Sequence, residues 1–599
     1  MITPPSRTAT LVRFVAYSLL LFASWNHNLL GIPDGVHWSR TEARSGYLGS
    51  ESHLVVCRLV HAGEVHPCYP LAGPAADGFV PYPSQVGLTG IGLAAIQNAT
   101  GLPTSSVAKA AGIAFVLLTA LTLAAVFASA QRWLGPPAGD VACVLAASTT
   151  AFLPFAPSLY WVPWLLLAPF AITWCFYSMA LTPGRRVALF ASVGLAVLAK
   201  SLCGYEYITA VIAAPVAAAW FHHHRLGEPL SRRVRTAFAL VGVGLLGFAA
   251  AMILHVVQQD VVLGQDGVEV IRNRALTRTA SNPQAEVALS GVAGEIPPSR
   301  SAFAIRCFLE YFDQRAISIA GGFGRIQKDV PLNVVVLLAI AFALTAGLAR
   351  RRWPREATAL AGALMLGLLA SVSWQVLAIN HMCVHRHLNL IVFSVPFLPL
   401  AYLASGTTVR LVFGEWFARW VGPMLLVSLA GVMLVNVHCD TQRRIGEAAE
   451  QEAAEGAVGN RLGEAIPPPD GALGGAVDLV WSASKVPDSL LMEYGLMDLA
   501  TGRAHDPDAL VIDGWALGEC KTTARPTTRV VVACGDTIVP AEVLRFRRPD
   551  IEKPIGKALP GSGFIAVIRS ADLTPGVRLR VFIVSTADPN RIAELAVKP

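Results

Sequence analysis

Charged residues are scarce in this chain. They make up 15% of its 599 residues, against about 25% in a typical soluble protein. Hydrophobic residues make up 54% and gather in blocks of roughly twenty, the length that crosses a bilayer core. These numbers exclude an ordinary soluble protein and predict an integral membrane protein. The net charge of +7 indicates no nucleic-acid partner, because basic clusters on one side of a membrane account for much of it.

Metal-binding and repeat patterns are also missing. The ten cysteines include no CxxC pair and no zinc spacing, so a structural zinc site is not expected. The sequence shows no nucleotide-binding motif, no internal repeat and no long low-complexity tract. Cys57 and Cys68 share one predicted outer loop, where disulfides are permitted. They either form a bridge or occur together by chance, and the same choice is open for Cys520 and Cys534.

Eleven membrane spans are predicted. The first follows a short basic segment and is interpreted as a retained helix with a cytoplasmic N-terminus, a signal peptide being the alternative. With that start, the clusters Arg185-Arg186, Arg232–Arg235 and Arg350–Arg352 all lie in the cytoplasm, as the positive-inside rule requires. The predicted spans are 12–30, 111–130, 141–157, 161–179, 186–203, 207–221, 237–257, 331–348, 357–379, 388–403 and 420–437.

This topology divides the chain into three predicted regions. Residues 1–437 form the membrane domain, with large outer loops at 31–110 and 258–330, a short one at 380–387, and an interfacial or re-entrant helix over 84–98. Residues 438–473 form a helical stalk and a proline-rich linker. Residues 474–599 form an extracytoplasmic β-sandwich, because alternating apolar runs are bounded by Gly, Pro and Asp. Those runs are Ala509–Trp515, Arg529–Ala533, Phe564–Ile568 and Val577–Val584. The predicted fold class is mainly α, a polytopic helical bundle with a C-terminal β domain.

The first outer loop supplies a candidate general base. Glu51 begins a run with apolar residues at helical spacing, and Arg58 lies two turns further along a similar face. A carboxylate near a helix N-terminus stays ionised more readily and can take the proton of an acceptor hydroxyl. Glu51 is the predicted base, with Asp34 and Glu42 as alternatives. The competing interpretation is a charge on a solvated surface helix.

Cationic side chains near the outer ends of spans are candidates for holding a phosphate. Lys200 ends a long apolar run, and a basic cluster lies at the mouth of two spans, where ionisable residues usually serve a site. Fixed positive groups stabilise the charge that develops on a leaving phosphate. The predicted phosphate-binding residues are Lys200, His385, Arg386, His387 and Arg58. Snorkelling of Lys200 to the headgroups and a solvated histidine loop are the competing interpretations.

Neighbouring polar residues are predicted to contact the substrate. They are Tyr82, Gln85, Tyr205, Glu206 and His381. The first two lie in the run that leads the first outer loop back to the membrane. Tyr205 and Glu206 follow Lys200 closely, and Glu206 either pairs with Lys200 or acts as an alternative base.

These runs resemble the GT-C glycosyltransferases, a class that includes protein mannosyltransferases and the aminoarabinose transferase of lipid A. The run Ser50–Gly63 resembles the acidic-residue helix of that class, with Glu51 on the acidic position and Ser50 in place of a second acid. The run Gly194–Lys200 with Gly204 is similar to its lysine-containing helix end, and His381–His387 looks like its late outer loop. The resemblance covers about residues 10–437. The C-terminal runs Asp513–Ala516, Arg548–Ile551 and Gly563-Phe564 resemble a β-sandwich module attached to bacterial glycosyltransferases.

The resemblance implies a sugar donor linked to polyprenyl phosphate, in a bacterial inner (cell) membrane. The predicted function is transfer of a hexosyl or pentosyl group to a glycan, lipid or protein acceptor on the extracytoplasmic face. A polysaccharide polymerase or ligase would use the same lipid phosphate. A lipid or solute transporter or flippase would need ionisable groups at mid-membrane depth, whereas these spans are nearly free of charge. A scaffold that presents the β domain is a further alternative. No metal site is predicted, and the need for a divalent cation stays open.

Overall fold

The computed structural model describes most of the membrane domain and the main strands that follow it. The described residues are 6–30, 52–75, 78–153, 155–179, 182–279, 300–321, 326–348, 354–384, 390–462, 474–482, 497–498, 503–504, 510–517, 528–546, 563–574, 577–585 and 591–595. The chain divides into two compact units. The first ends at Asn436, and the second comprises the described residues from Val437 onward.

The first unit is a bundle of helices with two short hairpins. Its elements in chain order are α1 (Arg7–His27), α2 (Ser52–Val60), β1 (Ala72–Ala75), β2 (Gly78–Pro81), α3 (Leu88–Thr100), α4 (Thr104–Leu134), α5 (Pro136–Ala147), α6 (Pro163–Phe176), α7 (Pro183–Cys203), α8 (Ile208–Arg225), α9 (Leu230–Leu263), α10 (Gly267–Thr279), α11 (Arg300–Phe312), β3 (Arg315–Gly321), β4 (Ile326–Pro331), α12 (Leu332–Leu348), α13 (Arg355–Leu377), α14 (Ile379–Val384), α15 (Leu390–Phe393) and the start of α16 (Phe397–Gly459). The last of these is broken at Gly414, where φ is 80°.

Seven helices within the described residues are long and apolar enough to cross a membrane. They are α1, α4, α7, α9, α13 and the two parts of α16 on either side of Gly414. Three shorter apolar helices, α5, α6 and α12, accompany them. The prediction of a helical integral membrane protein is confirmed. Each of the eleven predicted spans overlaps a helix, but fewer than eleven are long and apolar enough to span alone. Sidedness stays a prediction.

The predicted span 141–157 is wrong as a continuous helix. Helix α5 ends at Ala147, and the next residues bond to strand β3 instead. The Thr150 N–H donates to the Ala316 carbonyl at 3.2 Å, and the Thr149 hydroxyl donates to the same carbonyl at 2.8 Å. The Thr150 N–H is a group that a continued helix would bond to the carbonyl four residues earlier, so this tertiary bond replaces a helical one. The chain therefore runs on from α5 as a series of turns.

The predicted span 388–403 is also divided. Helix α15 ends at Phe393, and α16 begins at Phe397 after the Val395-Pro396 peptide, which is cis. A proline has no N–H to donate to the preceding turn, so the two helices do not join. By contrast, the helix predicted over 84–98 is present as α3.

A buried carboxylate joins α1 to α4 and α5. Asp140 accepts hydrogen bonds from the Tyr17 hydroxyl and from Gln131 Nε2, the latter at 3.2 Å. The Nε of Arg13 lies 3.5 Å from the same carboxylate oxygen. Since an unpaired buried charge costs several kcal/mol, these contacts fix the packing of the three helices at this end of the bundle.

The second unit contains two four-stranded antiparallel sheets. Its strands are β5 (Gly474–Ser482), β6 (Met497–Asp498), β7 (Arg503–Ala504), β8 (Leu510–Leu517), β9 (Thr528–Cys534), β10 (Thr537–Val539), β11 (Glu542–Phe546), β12 (Gly563–Ile568), β13 (Leu579–Ser585) and β14 (Ile592–Leu595). The sheet orders are β10-β9-β13-β14 and β11-β12-β8-β5, and β6 and β7 form a separate ribbon. The four runs predicted from the sequence appear as β8, β9, β12 and β13.

One hydrophobic core joins the two sheets face to face. Ile512 and Phe564 from one sheet pack with Val532 and Ile583 from the other. A C-terminal β domain of two packed sheets, as predicted, is therefore present. The opposite face of β9 and β13 is also covered: Val458, near the end of α16, packs there in a second cluster of buried residues. Burial on both faces explains the uninterrupted valine run in β9.

Candidate functional site

Lys200 lies in the last turn of α7 and is fully buried. Its Nζ donates a hydrogen bond to the Gly204 carbonyl at 2.8 Å. The Gly204 N–H donates to the Lys200 carbonyl at 3.0 Å. A cation at this end of a helix is favoured by the free carbonyls and by the helix dipole. The ammonium is thus held inside the protein, in the turn between α7 and α8.

Glu206 is in the same turn and is also buried. Its Oε1 accepts a hydrogen bond from the Tyr160 hydroxyl at 3.0 Å. That hydroxyl lies 3.4 Å from the hydroxyl of Tyr82. The carboxylate is therefore connected through Tyr160 to the segment between α1 and α4, hereafter the first loop. Two predicted substrate residues, Tyr82 and Glu206, belong to one hydrogen-bonded series.

Gly204 is the point at which this turn meets the first loop. A Cβ added to Gly204 would lie 2.5 Å from Glu206 Oε2 and 2.5 Å from Gln85 Oε1. The two oxygens therefore face the same small volume above the glycine. Gln85, another predicted substrate residue, is fully buried. The structure brings Lys200, Gln85 and Glu206 together around one backbone position.

Aromatic packing holds the turn in place. Tyr207 is the N-cap residue of α8, with φ 61° and ψ 19°, in the left-handed region that non-glycine residues rarely adopt. Its ring stacks on Trp161 at a centroid distance of 5.4 Å and meets Trp374 edge-on at 5.6 Å. Such a conformation costs about 1–3 kcal/mol and persists only when its surroundings impose it. These contacts fix the backbone next to Glu206.

The end of α9 is hydrogen-bonded to the first loop. Gln258 Nε2 donates to the carbonyl of Cys68 at 2.7 Å and to the carbonyl of Val86 at 2.9 Å. The next residue, Gln259, lies with its Nε2 3.1 Å from His255 Nε2. The ring of His255 is 5.5 Å from that of Tyr205. Helix α9 therefore contacts both the first loop and the turn that carries Glu206.

Arg58 lies on α2 and is buried within the first loop. Its Nε donates to the Tyr69 carbonyl at 3.1 Å. Its second terminal nitrogen donates to the carbonyls of Pro67 and His66, at 3.1 and 3.4 Å. These bonds give Arg58 a role in shaping the loop. Phosphate binding by Arg58 stays a prediction.

The predicted base falls just outside the described residues. Glu51 is not described, and neither are Asp34 and Glu42. Ser52 follows Glu51 in the chain, and its hydroxyl accepts a hydrogen bond from the Leu159 N–H at 3.0 Å. Leu159 precedes Tyr160, the partner of Glu206. The start of α2 is therefore next to the series that contains Glu206.

The predicted histidine cluster is also mostly outside the described residues. His385, Arg386 and His387 are not described, and His381 is described only as part of the backbone of α14. Where the chain is described, no group of three or more His, Cys, Asp and Glu side chains is arranged to hold a metal ion.

The two cysteines of the first loop are free thiols. Cys57 is partly buried on α2, and burial raises the pKa of its thiol to about 11. Cys68 is exposed. A disulfide between them is therefore not present in this structure, and the loop is held by Arg58 and Gln258 instead.

Sequence reasoning missed three groups at this site: Tyr160, His255 and the pair Gln258-Gln259. Tyr160 lies just before the predicted span 161–179, and His255 lies within the predicted span 237–257. Gln258 and Gln259 begin the predicted outer loop 258–330. The available signal was the spacing of His255 and Gln259, four residues apart at the end of an apolar helix, which places both on one face.

Comparisons with known proteins give one structural likeness. No family model matches the chain, and neither does any curated protein. Among solved structures, the chain is similar to ArnT from Cupriavidus metallidurans bound to undecaprenyl phosphate. The two share 12% sequence identity with a TM-score of 0.31, over 95% of this chain and 100% of that one.

Proposed function

We propose that this protein is a GT-C-type membrane glycosyltransferase. It moves a hexosyl or pentosyl group from a polyprenyl-phosphate-linked donor to a glycan, lipid or protein acceptor on the extracytoplasmic face of the cell membrane. The observation that carries the proposal is the burial of Lys200 and Glu206 around Gly204, at the end of an apolar helix and against the first loop. Ionisable groups buried in a membrane protein are costly and usually serve a site.

The proposal divides the work among three sets of residues. Glu51 is the general base, with Asp34 and Glu42 as alternatives. The residues that hold the donor phosphate are Lys200, His385, Arg386, His387 and Arg58. The residues that contact the sugar or the acceptor are Tyr82, Gln85, Tyr205, Glu206 and His381. The position of Ser52 against Leu159 supports a place for Glu51 near this group.

The proposed step is a displacement at the anomeric carbon. The base takes the proton of an acceptor hydroxyl, and the hydroxyl oxygen forms a bond to the anomeric carbon. The bond from that carbon to the phosphate oxygen breaks, and polyprenyl phosphate leaves with the electron pair. Positive groups stabilise the phosphate, and a positioned base contributes about 10²- to 10⁴-fold to the rate.

The experiment follows the lipid-linked donor, whose sugar need not be known beforehand. Cells that lack the protein are complemented with the wild type, with Glu51→Gln or with Glu64→Gln. Glu64 is the matched control, because it lies in the same loop, is largely exposed and pairs with His61 at 2.7 Å. Lipid extracts are analysed by mass spectrometry for polyprenyl-phosphate sugars. We expect such a donor to accumulate without the protein and with Glu51→Gln, but not with Glu64→Gln.

Two results would contradict parts of the proposal. If no polyprenyl-phosphate sugar accumulates when the protein is absent, the protein is not such a transferase. If the donor accumulates without the protein but is consumed normally by Glu51→Gln, the base is another residue, and Asp34→Asn and Glu42→Gln are tested next. Normal membrane levels of each variant are checked by immunoblot.

A further inference from the structure

The carboxamide of Gln85 is fully buried, yet neither its Oε1 nor its Nε2 has a hydrogen-bond partner among the described residues. Buried side-chain amides are nearly always paired, and an unpaired one lowers stability. The oxygen faces the volume above Gly204 that Glu206 Oε2 also faces. An amide kept at this cost, beside a buried carboxylate, indicates a polar ligand.

Gln258 supplies a second group with a fixed orientation. Its nitrogen donates to two carbonyls, those of Cys68 and Val86. Only the NH₂ of a carboxamide can donate to carbonyls, so these bonds settle which end of the amide is oxygen. Gln258 Oε1 is then a fixed acceptor, and it has no partner in the part of the chain that the structure describes. Val86 directly follows Gln85, so the Gln258 amide is bonded to the first loop at the residue next to Gln85.

We infer that Gln85, Gln258 and Glu206 form a subsite for an uncharged, hydroxyl-rich sugar ring of the donor. This inference depends on the proposed function and adds the class of sugar. Sugar hydroxyls both donate and accept, which suits the Gln85 amide, and they can donate to Gln258 Oε1 and to Glu206. A phosphate brings only acceptors and negative charge, so it suits the cationic groups better than this subsite. A cationic aminosugar is disfavoured because the buried Lys200 ammonium, bonded to the Gly204 carbonyl in the same turn, already supplies one positive charge.

Gln85→Leu separates a ligand role from a structural one. Leucine removes both polar atoms at little change in size. If the amide serves a ligand, its removal relieves an unpaired buried group, so the ligand-free protein unfolds at a higher temperature while sugar binding weakens. If the amide held the fold together, the unfolding temperature would fall.

The binding test uses the full chain in lipid nanodiscs and defined lipids. These are bare undecaprenyl phosphate and its glucosyl, mannosyl, galactosyl, glucuronosyl and 4-amino-4-deoxyarabinosyl derivatives. We expect one neutral sugar lipid to bind the wild type at least tenfold more tightly than bare undecaprenyl phosphate. Gln85→Leu removes that advantage and leaves the Kd for the bare lipid within twofold. Gln97→Leu is the matched control, because Gln97 lies near the C-terminal end of α3 and its Nε2 donates to the Thr104 hydroxyl at 3.1 Å, so the variant should leave the advantage intact.

A variant that adds a negative charge tests whether the subsite can be made to prefer a different sugar. Gln85→Glu places a second carboxylate beside Glu206, so it should shift the preference from the neutral sugar lipid to the aminosugar lipid. The shift would be read as the ratio of the two dissociation constants. This variant keeps the inference testable if the leucine variant does not fold.

The outcomes distinguish this inference from the proposed function. If no undecaprenyl lipid binds, the proposed function fails, and the inference fails with it. If the bare lipid binds but a charged sugar lipid binds most tightly, the subsite is not for a neutral sugar. If Gln85→Leu keeps the neutral-sugar advantage, the amides bind ordered water only. In these last two cases the proposed transferase function stands.

Discussion

Gly204→Ala tests whether the arrangement around this glycine sets the geometry of the site. The backbone at Gly204 is extended, with φ 168°, so alanine fits the main chain without strain. Its Cβ, however, would lie 2.5 Å from Gln85 Oε1 and from Glu206 Oε2, where real contacts essentially never fall below 3.0 Å. Each oxygen therefore has to retreat by about half an ångström or more.

Gly204→Ala is expected to lower the transfer rate much more than the stability of the protein. Both oxygens are at the ends of flexible side chains, so the overpacking should cost about 1 kcal/mol, the low end of the usual range. A displacement of about 1 Å at a reacting site can cost as much as 10²-fold in rate. We expect transfer to fall roughly 10- to 100-fold, with only a small decrease in unfolding temperature.

The assay combines donor consumption in membranes with thermal unfolding of the purified protein at a fixed scan rate. Gly63→Ala is the matched control, because a Cβ there meets nothing within 4 Å. The double variant Gly204→Ala/Gln85→Ala restores space for one oxygen and should regain part of the stability. A wild-type transfer rate in Gly204→Ala would refute the view that Gln85 and Glu206 set the geometry.

The remaining predictions concern the first loop. Arg58→Met should lower the unfolding temperature markedly, because three carbonyls of the loop lose their donor and each unpaired group costs about 1–3 kcal/mol. The proposed contact of Arg58 with the donor phosphate predicts a raised KM for the donor as well, and an unchanged KM would remove Arg58 from the phosphate site. Cys57 should react slowly with maleimide at neutral pH and about tenfold faster per pH unit up to about pH 11, because burial raises the pKa of its thiol and only the thiolate reacts. The exposed Cys68 should react first, so the Cys57 rate is measured in Cys68→Ser, and rapid labelling of Cys57 at pH 7 would show that α2 is not packed as described.

Local patterns predicted the elements better than the contacts between them. The runs that became β8, β9, β12 and β13 were found because alternation and turn residues are local signals. The helix predicted over 141–157 ended early because Thr149 and Thr150 bond to Ala316, a partner far along the chain. No periodicity in the sequence reports such a bond.

The candidate site was predicted only in part, because its residues carry local signals but the contacts between them do not. Lys200 was predicted as a cation that ends an apolar run, Glu206 as its close neighbour, and Gln85 as part of the run that leads the first outer loop back to the membrane. The structure places all three around Gly204. Their convergence depends on the fold, since Gln85 is far from the other two in sequence. Gln258 fell at the start of the predicted outer loop 258–330. Its role depends on carbonyls of the first loop, which carry no sequence signal.

The two hydrogen bonds made by Gln258 have a consequence for the order in which the site can form during synthesis. Its two carbonyl partners precede it by 172 and 190 residues, and synthesis at about 5–20 residues per second takes on the order of 10–40 s to cover that distance. During this interval Arg58 is already available to the first loop, whereas Gln258 has not been made. The partners of Arg58 are therefore present in the chain long before the donor that attaches the loop to α9. A chain interrupted before α9 would keep the partners of Arg58 but lack the group that bonds to the Cys68 and Val86 carbonyls.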